Sequence, residues 1–229
     1  MSGRQLAGRT FAAPELVSGY EDWYATPYGR IADALETEVL LELLKPLEPG
    51  ARVLELGCGT AHFGAALAAR GFRVSGVDPE PAMLAVARSR VPSVCGDGLR
   101  LPFRDRAFDG VVIVSVLDYV DDPRALLLEA RRVARTRVAL LALVAGSYLG
   151  LRRRLAGRLG HPIFRAARFR TRAAILAAAR EACGEPERVR GLLWLPPLLA
   201  GRLPGLERRL SAAARPFSGV LGLALHGSD

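Results

Sequence analysis

Three short stretches carry acids and glycines at intervals that suit one chemistry. Glu55-Leu56-Gly57-Cys58-Gly59 closes an apolar run that begins at Val53, and a helical pattern follows it. Asp78 lies 21 residues beyond Gly57, and Asp97-Gly98 lies further on. A helix that follows a parallel strand aims free N–H groups and the positive end of its dipole at the crevice above the sheet. Gly57 and Gly59 would let a ligand approach the backbone there, because no Cβ intervenes. The dinucleotide fingerprint G-x-G-x-x-G needs glycine at 62, where this chain has His62, a side chain expected to crowd the strand–helix contact. No Gly-Lys-Ser/Thr follows, which excludes a P-loop. A nucleoside without phosphates suits the pattern. Asp78 would take ribose hydroxyls, Asp97 would accept from an exocyclic amine, and the Gly98 N–H would serve a ring nitrogen. Glu55 adds negative charge under the turn.

These positions need a scaffold of strands alternating with helices, and the apolar periodicity predicts one. Residues 1–19 read as a loose lead-in. Ile31, Ala34, Leu35, Val39 and Leu43 recur at helical spacing over 29–44, and Pro46 and Pro49-Gly50 end that helix. Strands are expected at 52–56, 73–77, 92–95, 108–115 and 137–143, with helices at 61–70, 81–89 and 123–134 between them. That alternation predicts a parallel sheet covered on both faces. Further on, helices are expected at 147–159 and 171–182, the second capped by Thr171. A strand at 192–195, partly helical chain over 198–214 and a last strand at 220–225 complete the pattern.

With these blocks in order, the sequence resembles the class I S-adenosylmethionine-dependent methyltransferases, and within them the broad type 11 group. The matching pieces are Val53-Leu54-Glu55-Leu56-Gly57-Cys58-Gly59-Thr60, Val77-Asp78-Pro79 with Met83-Leu84, and Gly96-Asp97-Gly98 through Phe103. Phe108-Asp109-Gly110-Val111-Val112 and Val116-Leu117-Asp118-Tyr119 through Pro123 follow. The resemblance runs from about residue 20 to 143. It implies a Rossmann-like, doubly wound, seven-stranded and mostly parallel sheet with the last strand antiparallel. It implies one domain over 1–229, with an N-terminal lid and helix segment (1–50), a cofactor core (51–145) and a substrate side (146–229). It also implies S-adenosyl-L-methionine as cofactor. Glu55, Gly57, Cys58 and Gly59 would then form the turn that holds the methionine part. Asp78 would bind the ribose, Pro79 and Met83 would flank the nucleoside, and Asp97 and Gly98 would read the adenine edge. Ser115 would offer backbone to the cofactor's amino group. Many relatives carry a histidine pair where this chain has Asp118-Tyr119, so these two are candidates for a different substrate contact.

The sulfonium is already an electrophile, so catalysis needs in-line positioning and dryness more than any one base. The sequence therefore assigns no catalytic residue. The expected activity is methyl transfer to O, N or C of a small molecule. A lipid or quinone-like substrate at a membrane surface, or cofactor binding without turnover, are the alternatives. The aromatic segment 20–30 reads as a loop closing over the site, with Tyr24, Tyr28 and Arg30 as its substrate-side candidates. His62 reads as packing or solvent-facing, Cys58 as a filler in the turn, and His161 and His226 have no partner at metal-ligand spacing, so no metal is expected.

Charge is divided unevenly. Residues 1–123 hold 12 Arg and Lys against 17 Asp and Glu, whereas 124–229 hold 20 against 6. Arg152, Arg153, Arg154 and Arg158, followed by Arg165, Arg168, Arg170 and Arg172, are expected to form a positive face beside the substrate entrance. An anionic substrate or peripheral contact with an anionic membrane would suit that face. Nucleic acid suits it poorly, because only Phe164 and Phe169 interleave the arginines between 152 and 172. The three cysteines form no CxxC, and the longest uncharged apolar run, 138–151, falls short of the roughly 20 residues that span a bilayer. Both features point to a cytoplasmic protein, and the sequence leaves its oligomeric state open.

Overall fold

The computed structural model describes residues 14–202, 204–211 and 217–228. Its strands are β1 (Arg52–Leu56), β2 (Arg73–Asp78), β3 (Ser93–Cys95), β4 (Phe108–Val114), β5 (Ala134–Leu143), β6 (Arg188–Leu192) and β7 (Val220–His226). They form one sheet in the order β3-β2-β1-β4-β5-β7-β6. The first five run parallel, and β7 is antiparallel to both β5 and β6. The order turns outward in both directions from β1 and β4. That reversal opens a crevice above the carboxyl ends of these two strands, the usual ligand position in open α/β sheets.

The helices are α1 (Pro14–Ala25), α2 (Pro27–Leu44), α3 (His62–Ala68), α4 (Pro81–Ala87) and α5 (Pro123–Val133). Then come α6 (Tyr148–Arg158), α7 (Pro162–Ala166), α8 (Arg172–Cys183), α9 (Pro197–Arg202) and α10 (Pro204–Ser211). Strand residues alternate between two apolar layers, as the period of two requires. Leu54, Leu56, Val111, Ile113, Val138 and Leu140 pack with Leu126, Leu127 and Ala130 of α5 and Ile175 and Ala179 of α8. Val53, Val112, Ala139, Leu141 and Leu143 pack on the opposite side with Leu40, Leu43 and Leu44 of α2 and Phe63 and Leu67 of α3. Leu54, Leu140 and Leu126 are wholly buried, so truncating any of them to alanine costs about 2–5 kcal/mol.

Side-chain caps set several helix starts. Thr26 accepts from the Gly29 N–H at 2.9 Å, Asp122 from Ala125 at 3.0 Å, Ser147 from Gly150 at 2.9 Å and Thr171 from Ala174 at 3.2 Å.

Three sequence expectations need correction. The part of the lead-in from 14 onward and the aromatic loop are helix α1 and the start of α2, broken only at Thr26, which Pro27 holds extended at ψ 154°. Residues 1–13 of the lead-in lie outside the described chain. The strand expected at 192–195 is β6, ending at Leu192, because Leu193 takes a positive φ of 56° and turns the chain away. Arg188 and Arg190 obscured that strand in the sequence, yet the guanidinium of Arg190 pairs with Glu42 of α2. β5 begins at Ala134, directly after α5, three residues before its expected start.

Candidate functional site

A cavity of about 470 Å³ lies above the carboxyl ends of β1 and β4. Its floor is the glycine turn. Gly57 and Gly59 both line it, at φ 71° and 52°, the left-handed region that favours glycine. A Cβ on Gly57 would overlap Val116 Cγ2, whereas a Cβ on Gly59 would meet only Met83 Sδ, at 3.9 Å. The space above Gly59 is therefore a cradle that a side chain would fill.

Asp78 ends β2 beside this turn and lines the cavity. Its Oδ2 accepts the Gly59 N–H at 2.8 Å and its Oδ1 the Glu80 N–H at 2.9 Å. The carboxylate therefore shapes the turn, and each oxygen keeps a second lone pair for a ligand hydroxyl. Burial raises its pKa, and the two backbone N–H groups pull the other way. Pro79, Met83 and Ser115 also line the cavity, and Ser115 reaches it at the end of β4 with φ 55°.

Four other cofactor candidates stand apart from the cavity lining. The Glu55 carboxylate is buried beneath the turn, where Oε2 accepts the Gly64 N–H at 3.0 Å, and burial pushes its pKa to about 8. Glu55 thus anchors the first turn of α3. Cys58 is buried under the same turn, and a Cβ on Gly76 would come within 2.7 Å of its Sγ. Burial pushes the Cys58 thiol pKa up, so it stays a neutral filler. The Asp97 carboxylate is exposed and accepts from the Leu99 N–H at 2.9 Å, and Gly98 packs on Leu56 and Leu126.

His62 does not crowd the strand–helix contact as the fingerprint argument supposed. Gly64 makes that contact, since a Cβ there would lie 2.5 Å from Glu55 Oε2 and 3.4 Å from Val74 Cγ1. His62 swings outward, stacks on Tyr24 with ring centroids 3.7 Å apart, and bonds Asp33 Oδ1 through Nε2 at 2.8 Å. The helix start is instead closed by α1. Thr60 Oγ1 donates to Glu21 Oε1 at 2.5 Å, and Arg90 joins Glu21 to the Thr60 carbonyl. A carboxylate so placed opposes a pyrophosphate there, which restores the exclusion of a dinucleotide on different grounds. Burial raises the Glu21 pKa, and its bonds from Arg90 and Thr60 more than offset this and leave it low.

The remaining walls come from helices. Tyr20, Trp23 and Tyr24 of α1 and Tyr28 and Glu36 of α2 line one side. Leu149, Arg152, Arg153 and Ala156 of α6 line another, with Ile163 and Phe164 of α7. Tyr20 Oη and Tyr24 Oη lie 3.0 Å apart, while the buried Tyr28 Oη has no hydrogen-bond partner among the described residues. Arg153 has a buried Nη1 without a partner among the described residues, and its guanidinium lies 6.0 Å from the Phe164 ring centre. Arg30 turns away and donates to the Ala25 carbonyl. Tyr119 lines the cavity, whereas Asp118 does not. Asp118 is buried with Oδ2 unpartnered, and burial pushes its pKa to about 7 against the pull of Arg170 and Arg153.

Glu36 is a charged lining group that sequence reasoning did not single out. It is 5% exposed, and burial pushes its pKa to about 7, with Arg153 pulling it down. Its signal was present: an acid among Leu35, Val39 and Leu40 on the apolar face of one helix.

Comparison with known proteins agrees with this geometry. Residues 54–142 match the family model described as a methyltransferase domain. A demethylmenaquinone methyltransferase of Corynebacterium efficiens is 43% identical over 90 residues, 39% of each chain. The chain spans about two fifths of the length of the curated relatives of that kind. Among solved structures, a SAM-dependent methyltransferase of Thermotoga maritima superposes with a TM-score of 0.71 at 22% identity, covering 96% of this chain and 99% of that one. Phosphoethanolamine N-methyltransferase 2 of Haemonchus contortus, solved with S-adenosyl-L-methionine, gives 0.70 at 18% identity, covering 100% of this chain and 60% of that one. At these identities the structural likeness is one of fold.

Proposed function

We propose that this chain, whose residues 54–142 match a methyltransferase-domain family model, is a class I S-adenosylmethionine-dependent methyltransferase that moves a methyl group to a small apolar acceptor bearing an ionisable hydroxyl or its enol equivalent. The observation that carries this is one cavity in which the glycine turn and Asp78 face a wall of aromatic and aliphatic side chains interrupted by Glu36 and Arg153.

The residues present fit the cofactor. Gly57 and Gly59 give the turn close backbone approach, Asp78 has lone pairs to spare for ribose hydroxyls, and Pro79 and Met83 bound the nucleoside side. When bound, the cofactor supplies an electrophilic methyl group on a sulfonium. Everything else falls to the chain. Tyr20, Trp23, Tyr24, Leu149 and Phe164 exclude water and hold an apolar body by its faces. Among the described residues, Arg153 Nη1 and the Tyr28 hydroxyl have no partner, so both are available to an acceptor oxygen. The positive Arg153 favours that oxygen as its anion. Glu36, poised near neutrality, takes the hydroxyl proton as the acceptor becomes a nucleophile. A ring hydroxyl on an apolar quinol meets all of these requirements, and a demethylmenaquinone methyltransferase is among the chain's relatives.

Incubation with methyl-labelled cofactor and a panel of naphthoquinols, phenols and alkylamines tests the reading. Label should pass to the quinols and phenols and enter the organic phase. Cofactor binding without transfer to any of them would mean a binding protein or another acceptor class.

A further inference from the structure

We infer that α6 is a docking helix for an anionic lipid bilayer, with its outer face seated among the headgroups and its inner face walling the cavity. Four large side chains on it are exposed: Tyr148 at 53%, Leu151 at 63%, Leu155 at 55% and the capping residue Leu159 at 80%. At about 100° per residue these four fall within an arc of about 80°. Arg152 borders that arc on one side and Arg154 and Arg158 on the other, all three exposed. The opposite face is occupied, because Leu149, Gly150 and Gly157 are buried and Arg153 and Ala156 line the cavity. An outward apolar stripe between two rows of arginine is the pattern of a helix lying in a membrane interface. Leucines in water on the open side of a helix whose other side is packed need a partner.

Charge decides which partner. No Asp or Glu occurs between Glu129 and Glu181. Among the described residues, Arg152, Arg154 and Arg158 form no ion pair. A second copy of the chain would bring the same arginines against these, whereas anionic headgroups neutralise them while the leucines enter the acyl boundary. A further apolar group lies nearby. Phe217, 70% exposed, is two residues from Gly219, and a Cβ on Gly219 would be 2.7 Å from Leu149 Cδ1 in the first turn of α6. The helix also forms one wall of the cavity with its other face, so docking would hold the site close to the lipid in which an apolar acceptor dissolves. That last step rests on the methyl-transfer reading, while the docking itself does not.

The test is flotation of the full chain with vesicles of phosphatidylcholine alone and of phosphatidylcholine mixed with phosphatidylglycerol. Binding should favour the anionic vesicles and weaken with added salt without vanishing. Leu151→Ser with Leu155→Ser should lower it at least tenfold. Arg154→Gln and Arg158→Gln should lower it about fivefold each. All these side chains are exposed, so thermal unfolding should stay near that of the parent chain. Calorimetric affinity for S-adenosylhomocysteine, read without vesicles, should be unchanged in every variant, which separates this inference from the cofactor reading. Equal and negligible binding to both vesicles would overturn the inference. So would anionic binding that the leucine variants leave intact, or self-association through the same leucines without vesicle binding.

Discussion

Glu36→Gln separates the acid–base chemistry of the cavity from its packing. In the unfolded chain this carboxyl titrates near its ordinary value of 4.5, and in the folded chain burial holds it at about 7. The native state therefore keeps a proton that the unfolded state has lost between those values. Stability contributed by Glu36 is full below pH 4.5, falls as pH rises toward 7 and is flat above. At 1.36 kcal/mol for each pH unit in that window, the loss comes to roughly 3 kcal/mol. Glutamine keeps the volume and cannot ionise, but it leaves a buried amide short of partners at about 1–2 kcal/mol. The variant should thus be less stable than the parent at pH 5 and more stable by about 1–2 kcal/mol at pH 8. Glu55, pushed to about 8, titrates in both proteins and cancels from the difference. Urea unfolding followed by circular dichroism at pH 5, 6, 7 and 8 measures it. Methyl transfer to the acceptor found above should fall about 10²–10⁴-fold in kcat, with S-adenosylhomocysteine affinity preserved. In the parent chain the rate should rise with pH up to about 7. A stability difference that is the same at every pH would refute the neutral buried carboxyl. An unchanged kcat would remove Glu36 from proton transfer.

Asp78→Ala deletes a carboxylate with room for two ribose hydroxyls. At about 1.5–3 kcal/mol for each charge-assisted bond, S-adenosylhomocysteine should bind at least tenfold more weakly by calorimetry, in a chain still folded by circular dichroism. Gly57→Ala introduces both a positive-φ alanine and an overlap with Val116 Cγ2, so its melting temperature and cofactor affinity should both drop. Adding Val116→Ala should restore part of the stability, and a double variant no more stable than the single one would contradict the overlap. Arg90→Ala releases Glu21, whose low pKa contributes stability above pH 4.5 that is lost as pH falls through the folded value. Cleavage within α1 by a dilute protease should accelerate at pH 7, and the parent chain should approach that rate only in acid.

The glycine-turn floor of the cavity was legible, though Glu55, Cys58, Asp97 and Gly98 stand apart from its lining, because strand–turn–helix geometry ties residue type to position. Gly57 and Gly59 must take positive φ, and Asp78 must end the neighbouring strand. The parallel core was legible for a similar reason: near-continuous apolar runs at Val53–Leu56 and Phe108–Val114, set between helical patterns, leave few other folds. On the other side only Tyr24, Tyr28, Tyr119 and the arginine cluster with Arg153 were picked out, because no local motif builds the rest. Tyr28, Glu36, Arg153 and Phe164 come from three helices separated by up to 136 residues of chain, and only tertiary packing joins them. Helix α1 was hidden by Gly19 and Pro14, residues read as breakers, although Tyr20 and Tyr24 hold it down against α3 through rings that include His62 and Phe63. Gly64 shows the limit of motif spacing. It does the packing assigned to position 62, because Ala61 takes φ 57° and shifts where the helix begins.

Isothermal titration calorimetry of the full chain with S-adenosylhomocysteine and, separately, with NADH tests the central claim most directly. The account predicts saturable binding of S-adenosylhomocysteine at one site and far weaker binding of NADH, since the Glu21 carboxylate, bonded to Thr60 just before α3, opposes a pyrophosphate there. Tighter binding of NADH, or no binding of S-adenosylhomocysteine by a folded chain, would contradict it.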